Sequence, residues 1–335
     1  MKGKLVALTI AVSLLAVWTG TPTQAAQPGN SQSSGTILFT SNELSWDDLY
    51  TMDEQGGNIK RLTTIGRVGA GNCWQFGKRG SWACSAGAAH YSPDGTRIAF
   101  SRVETDRPAY NTEIYVMNAD GSGLKNITNS SDFLEWSPDW SADGTRIVYV
   151  GRRNVDQESH LYVMDADGNH RSPLAYINNA NFDPAWSPDG KQIAFVSYFG
   201  GYGGRSTDQA DIGVISADGS DLVRLTYRGD HFSLPVWAPS GQELVYSWRT
   251  RDQSTGETWQ VWRMKADGGN QRCIIGCKGW FSKFSNYPVA WKGNRILFAA
   301  WENGNWDIYI ANDNGTGAVK LTSQPWDQKV QDWKP

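Results

Sequence analysis

The stretch NFDPAWSPDGKQIAFV, running from Asn181 to Val196, returns in altered form along the chain. It reads HYSPDGTRIAFS from His90, PDWSADGTRIVYV from Pro138, LPVWAPSGQELVYS from Leu234 and YPVAWKGNRILFA from Tyr287. A second phrase follows each copy: EIYVMNADGSGLKNIT from Glu113, HLYVMDADGNHRSPLA from His160, DIGVISADGSDLVRLT from Asp211, QVWRMKADGGNQRCII from Gln260 and DIYIANDNGTGAVKLT from Asp307. GTILFTS at Gly35 and DLYTMDEQGGNIKRLT at Asp48 form a sixth copy that lacks its W-S-P opening, and the C-terminal QDWKP supplies that opening. A repeat of roughly 50 residues marks an array in which each unit buries its apolar face against the next.

Each repeat resolves into four short strands. PAWS is the first, a tight SPDG, SADG or APSG turn follows, and KQIAFV alternates as the second, with Ile193 and Phe195 in phase. DIGVI is the third, and an ADG-type turn leads into LVRLT as the fourth. Four antiparallel strands repeated radially describe a β-propeller blade, and six copies give an all-β, six-bladed propeller. An open ring would leave strand edges unpaired. The terminal VQDWKP is therefore expected to complete the blade begun by residues 35–64.

The W-S-P-D-G-x-x-I-A-F and D-I-Y-V-M-N-A-D-G-S-G phrases resemble the PD40-type, WD40-like repeats of TolB-like β-propellers, over residues 35–335. The resemblance implies a six-bladed propeller in a family that spans protein-binding scaffolds, carbohydrate-active lyases and propellers attached to peptidase domains. TolB proper carries a further domain ahead of its propeller, and residues 1–34 are too few for one. Fold alone does not decide among those functions.

Residues 1–26 read as a cleavable signal peptide: Lys2 and Lys4, the apolar LVALTIAVSLLAVW, then the small-residue TPTQAA. No Cys follows as a lipid attachment point, and 27–34 read as a flexible lead-in to a single propeller at 35–335. The expected setting is periplasmic or secreted, with no membrane insertion after cleavage. A balance of 31 basic and 34 acidic residues gives no case for nucleic acid. Four cysteines suit an oxidising compartment. Cys73 and Cys84 bracket an insertion at about residues 64–89 and Cys273 and Cys277 form a close pair, so local pairing within each is the simplest connectivity. Four extended residues span about 13 Å, whereas bridged Cα atoms lie within about 7 Å, so the chain must turn at Ile275–Gly276. A zinc site is the rival, but this C-x3-C lacks a nearby His or second pair.

The turns within the first and last strand pairs are short and uniform. Connections between second and third strands, and between blades, read as long and individual, and both classes emerge on one face. Function is expected on that face. Of 17 tryptophans, Trp140, Trp186, Trp237, Trp291 and Trp333 fill the repeated strand position and are packing residues. Candidate ligand-binding residues in or beside the irregular connections are Trp46, Trp74, Trp82, Arg102, Arg152, Arg153, Tyr198, Tyr202, Trp248, Arg249, Trp280, Trp301, Trp306 and Trp326. Flat rings beside Arg suit a pyranose, which offers C–H faces to an aromatic plane and hydroxyls to planar polar groups. The same mixture suits a protein interface.

No G-x-S-x-G, H-E-x-x-H or P-loop occurs. The ADG turns lack the later bidentate Glu of a calcium loop. His90, His160 and His231 fall in different blades, which argues against a shared metal, and no cofactor signature is present. Glu104, Asp106, Asp156, Glu158, Asp208, Asp252, Glu257, Glu302 and Asp327 could supply a carboxylate pair for glycoside cleavage, but no spacing rule selects two. The leading reading is a noncatalytic monomer that binds a polysaccharide, or an envelope or secreted protein. The alternative is a carbohydrate-active lyase or hydrolase with its site at the channel mouth.

Overall fold

The computed structural model describes residues 35–42, 48–64, 74–76, 81–83, 89–104, 111–153, 155, 159–175, 181–199, 210–227, 232–252 and 256–334, all within the unit Ser34–Pro335. Six four-stranded antiparallel sheets follow the six repeats. Blade 1 joins Gln328–Trp333 to Thr36–Ser41, Asp48–Asp53 and Lys60–Arg61. Blade 2 is Ala89–Tyr91, Arg97–Glu104, Asn111–Asn118 and Lys125–Asn126, and blade 3 is Phe133–Trp140, Arg146–Arg153, His160–Asp165 and Ser172–Ala175. Blade 4 is Asn181–Trp186, Gln192–Ser197, Asp211–Ser216 and Val223–Arg224, and blade 5 is Phe232–Trp237, Glu243–Asp252, Gly256–Lys265 and Arg272–Ile275. Blade 6 is Ser285–Lys292, Arg295–Glu302, Asn305–Asn312 and Val319–Lys320. The first strands of neighbouring blades touch in cyclic order, blade 6 returning to blade 1, so they line a central axis.

Closure is by strand pairing: Ile37 opposes Trp333, Thr40 opposes Lys329 and Ser41 opposes Gln328. The core is divided among the interblade seams. At the seam of blades 6 and 1, Ile37, Phe39, Leu297, Ile308 and Val330 are buried together. Between blades 3 and 4, Val148, Leu161, Trp186, Ile193 and Phe195 are. This is why each strand alternates: one sheet face meets the blade before it and the other the blade after.

The repeated motifs earn their residues through hydrogen bonds. In the SPDG turn of blade 2, Ser92 Oγ accepts from Arg97 N at 2.9 Å and donates to Asp94, which also accepts from Thr96 N at 3.0 Å. Ser141 with Asp143, and Ser187 with Asp189, make the same turn. The Ser hydroxyls and backbone N–H groups hold Asp94 and Asp143 down at about 2. The glycine of each ADG turn has positive φ and abuts the preceding blade. A Cβ on Gly168 would lie 2.1 Å from Ile127 O, and one on Gly315 1.9 Å from Ile274 O, so only glycine fits.

One expectation is corrected. The connection of blade 6 between its second and third strands is two residues, Asn303 and Gly304, both at positive φ, and not a long loop. Asn-Gly is the two-residue hairpin signal, and the strands simply extend to reach it. Blade 5 extends likewise, with Glu243–Asp252 paired along its whole length to Gly256–Lys265.

Candidate functional site

Two clusters outside the repeated scaffold concentrate chemistry. The first lies on the central axis. His90 Nδ1 sits 3.9 Å from Asp139 Oδ1 and 3.9 Å from Asp332 Oδ2, and Asp183 joins them electrostatically. Each carboxylate also braces the ring, because it accepts a backbone N–H from the next blade. Asp332 takes Tyr91 N at 2.8 Å, Asp139 takes Trp186 N at 2.6 Å and Asp183 takes Leu234 N at 3.4 Å. Burial pushes Asp183 and Asp332 up to about 6, and pushes Asp139 up, against the opposing pull of His90. Sequence reasoning missed this cluster. Its trace was present: the residue before the repeated aromatic is polar in AHYSPDG, PDWSADG and QDWKP, but Ala or Val in the other copies.

The second cluster is aromatic and spans blades 5 and 6. Trp259 packs on Tyr287 at 5.2 Å between centroids, Tyr287 on Trp306 at 5.2 Å, and Trp306 on Trp301 at 5.5 Å. Successive planes are tilted by 38°, 54° and 63°, so the rings brace one another and do not form one flat platform. Trp301 and Trp306 are cross-strand partners beside the Asn303–Gly304 turn. Trp301 remains 40% exposed, while Trp306 leans on the seam of blades 6 and 1. Arg249, opposite Trp259 in the blade 5 hairpin, interacts with the Tyr287 hydroxyl. Burial, the larger cause, holds that hydroxyl far above its ordinary range. Asp327 accepts Trp306 N at 3.0 Å and fixes the far end.

These features agree with the likenesses of the whole chain. The family model described as the TolB beta propeller domain, PD40, matches residues 75–201. A solved structure of TolB from Acinetobacter baumannii superposes with a TM-score of 0.66 at 17% identity, over 90% of this chain and 67% of that one. The chain is a six-bladed β-propeller that resembles the TolB propellers. Atu1656, an uncharacterised protein of Agrobacterium fabrum, is 32% identical over 190 residues, or 55% of this chain and 59% of that protein. A TolB homolog of Chlorobium luteolum is 26% identical over 164 residues, or 48% of this chain and 31% of its own length. The matched part thus spans less than two thirds of either relative.

Within this propeller the other candidate residues are dispersed. Trp248 is 7% exposed, stacked on Phe232 at 5.5 Å and against Trp262 at 4.5 Å in the seam of blades 4 and 5. It is a packing residue. Arg102 lies over the Tyr115 ring at 5.1 Å, and Arg152 and Arg153 end the second strand of blade 3, opposite Leu134 and Phe133. Tyr198 meets Phe182 edge-on at 5.9 Å. Trp74 and Trp82 belong to a two-stranded hairpin, Trp74–Phe76 with Ser81–Ala83, inside the insertion. Trp280 opens a 3-10 turn, Trp280–Lys283, and Trp326 is half-buried. Trp46, Tyr202, Cys73, Cys84 and His231 lie outside the described residues.

Cys273 and Cys277 form a disulfide with Cα atoms 5.9 Å apart, and Gly276 turns between them at φ 84°. Several buried acids prove to be scaffold. Asp48, Glu113, Asp211 and Asp307 each accept from the Thr of the L-T or I-T phrase: Thr63, Thr128, Thr226 and Thr322. Each of those Thr oxygens accepts the N–H following the acid, as in Ile114 N to Thr128 at 2.8 Å. Glu302 bonds Tyr309 and Lys320, which ties it to the blade. Among the described residues, no group of three or more His, Cys, Asp or Glu is arranged to hold a metal ion, and no helix is long and apolar enough to cross a membrane.

Proposed function

We propose that this TolB-like propeller is an exported, noncatalytic binding protein of the periplasm or extracellular space, which holds an extended polysaccharide or a protein partner on its irregular face. The observation that carries the reading is Trp301: a large exposed ring on a two-residue hairpin, backed by Trp306 and Tyr287. A ring already held in place loses little entropy on binding, so its contact area converts efficiently into affinity. Arg249, beside Tyr287, supplies a polar contact. The kinship with TolB proteins supports a protein partner, and the pairing of ring and cation supports a sugar chain.

The axial cluster favours a second reading, a lyase or hydrolase at the channel mouth, because carboxylates pushed toward neutrality beside a His are what proton transfer requires. All three carboxylates are already engaged by backbone N–H groups, which favours the bracing role. The deciding comparison is wild type against Trp301→Ala, measured on a panel of polysaccharides and on cross-linked envelope proteins. Binding by wild type that weakens in the variant supports the reading. Equal binding by both proteins removes Trp301 from it.

A further inference from the structure

The seam between blades 2 and 3 holds a carboxyl group that the binding reading does not use. Glu135, in the first strand of blade 3, is 2% exposed. One oxygen accepts from the Ser130 hydroxyl, and the other, Oε2, is buried without a hydrogen-bond partner. Ser130 lies in the crossover between the blades, and its backbone N–H donates to Glu113 Oε2 at 3.1 Å. Glu113, fully buried in the third strand of blade 2, also accepts from Asn111 at 2.7 Å and Thr128 at 2.6 Å. Ser130 therefore bridges two buried carboxyl groups from two blades, and Asn111 grips the Ser130 carbonyl at 2.7 Å.

The charged and titratable groups facing Glu135 are Glu113, Asp132, Arg171 and the Tyr149 phenol. Arg171 reaches from the last strand segment of blade 3 and donates to the carbonyls of Ile127 and Thr128, so its guanidinium is anchored to backbone. It makes no ion pair with Glu135. An ionised Glu135 would thus be a buried charge near a second carboxylate with one oxygen unsatisfied, which is costly. A neutral Glu135 removes that buried charge.

We propose that Glu135 is a proton-operated latch, which clamps the crossover at residues 129–132 to both blades while it holds its proton and loosens that crossover when the proton leaves. Burial, the largest cause, with Glu113 and Asp132 adding to it and Ser130 and Arg171 opposing, places its titration near 7. The latch therefore works across the range an exported protein meets. Opening it would free the first strand of blade 3, whose start is paired with Arg152 and Arg153. The irregular face would then be tighter in acid than in alkali.

The test is native-state hydrogen exchange of the full chain between pH 6 and pH 8, with rates corrected for intrinsic pH dependence, in wild type and Glu135→Gln. The latch predicts that protection of the amides in 130–135 falls by about tenfold in wild type over that range, and stays flat in the variant. An equal slope in both proteins overturns it. Should the variant fold poorly, an NMR titration of the wild-type Glu135 carboxyl carbon decides. A midpoint near 7 that coincides with the loss of protection supports the latch, and a midpoint below 5 overturns it.

Discussion

The indole N–H of Trp237 in blade 5 donates to the carbonyl oxygen of Ala185 in blade 4 at 3.0 Å. Trp140 repeats the bond two seams earlier, to the carbonyl of His90 at 3.1 Å. Arg97 covers Trp140 at 4.5 Å and Arg146 covers Trp186 at 5.0 Å, each from the blade before. The tryptophan of the repeat is thus a connector between blades as well as a filler of the seam. Replacing Trp237 by Phe keeps most of the packing and orphans the Ala185 carbonyl, so a loss of about 1–3 kcal/mol is expected in urea unfolding.

Gly168 tests the closeness of the blades. Its φ is +94°, and an added Cβ would lie 2.1 Å from the Ile127 carbonyl oxygen. Gly168→Ala should lower stability by about 1–3 kcal/mol from backbone strain alone, and more from the collision. Gly293→Ala is the control, since it shares a positive φ and meets nothing within 4 Å. The thermal midpoint should fall further for Gly168→Ala.

The disulfide closes a short loop next to the aromatic cluster. Asn286, whose Nδ2 shares its two protons among the carbonyls of Trp259, Phe281 and Phe284, ties the 3-10 turn that follows that loop to blade 5. The Cys273→Ser/Cys277→Ser double variant should lose about 2 kcal/mol by loop-closure entropy. Denaturant titration of the two proteins under oxidising conditions measures it.

The axial carboxylates predict a direction with pH. Their folded-state pKa lies above the unfolded value of about 3.9, so the stability they lend in acid is lost as pH climbs from about 4 through about 6. Asp183→Asn retains an acceptor for Leu234 N and removes the buried charge. Urea midpoints at pH 4.5 and 7.5 should therefore show a smaller drop for the variant than for wild type.

The architecture was legible because its information is periodic. Trp186, Trp237 and Trp333 recur at one strand position, and one register serves every blade. Even the closing strand could be read from QDWKP, and the Ile275–Gly276 turn from the reach of an extended chain. The site was less legible because its residues do not recur. Trp248 stands midway along the second strand of blade 5 and Trp301 next to the end of that of blade 6, so one is sealed in a seam and the other faces solvent. Distance along the hairpin decides which, because both sheet faces are covered by neighbouring blades until the strands pass the rim, and in blade 6 the strands run on to the two-residue Asn303–Gly304 turn where a long loop is expected. Asp139, Asp183 and Asp332 come together only when the ring closes, so no local spacing announces them.

The central claim is binding without bond cleavage on the face that carries Trp301. Its most direct test passes the purified mature protein over insoluble polysaccharides and mixes it with soluble ones, following retention and released reducing ends together. The account predicts retention without product, and a loss of affinity of about 30-fold in Trp301→Ala, the size expected of a central aromatic anchor. Release of reducing ends by wild type, abolished in Asp183→Asn and untouched in Trp301→Ala, would contradict it and move the function to the axis.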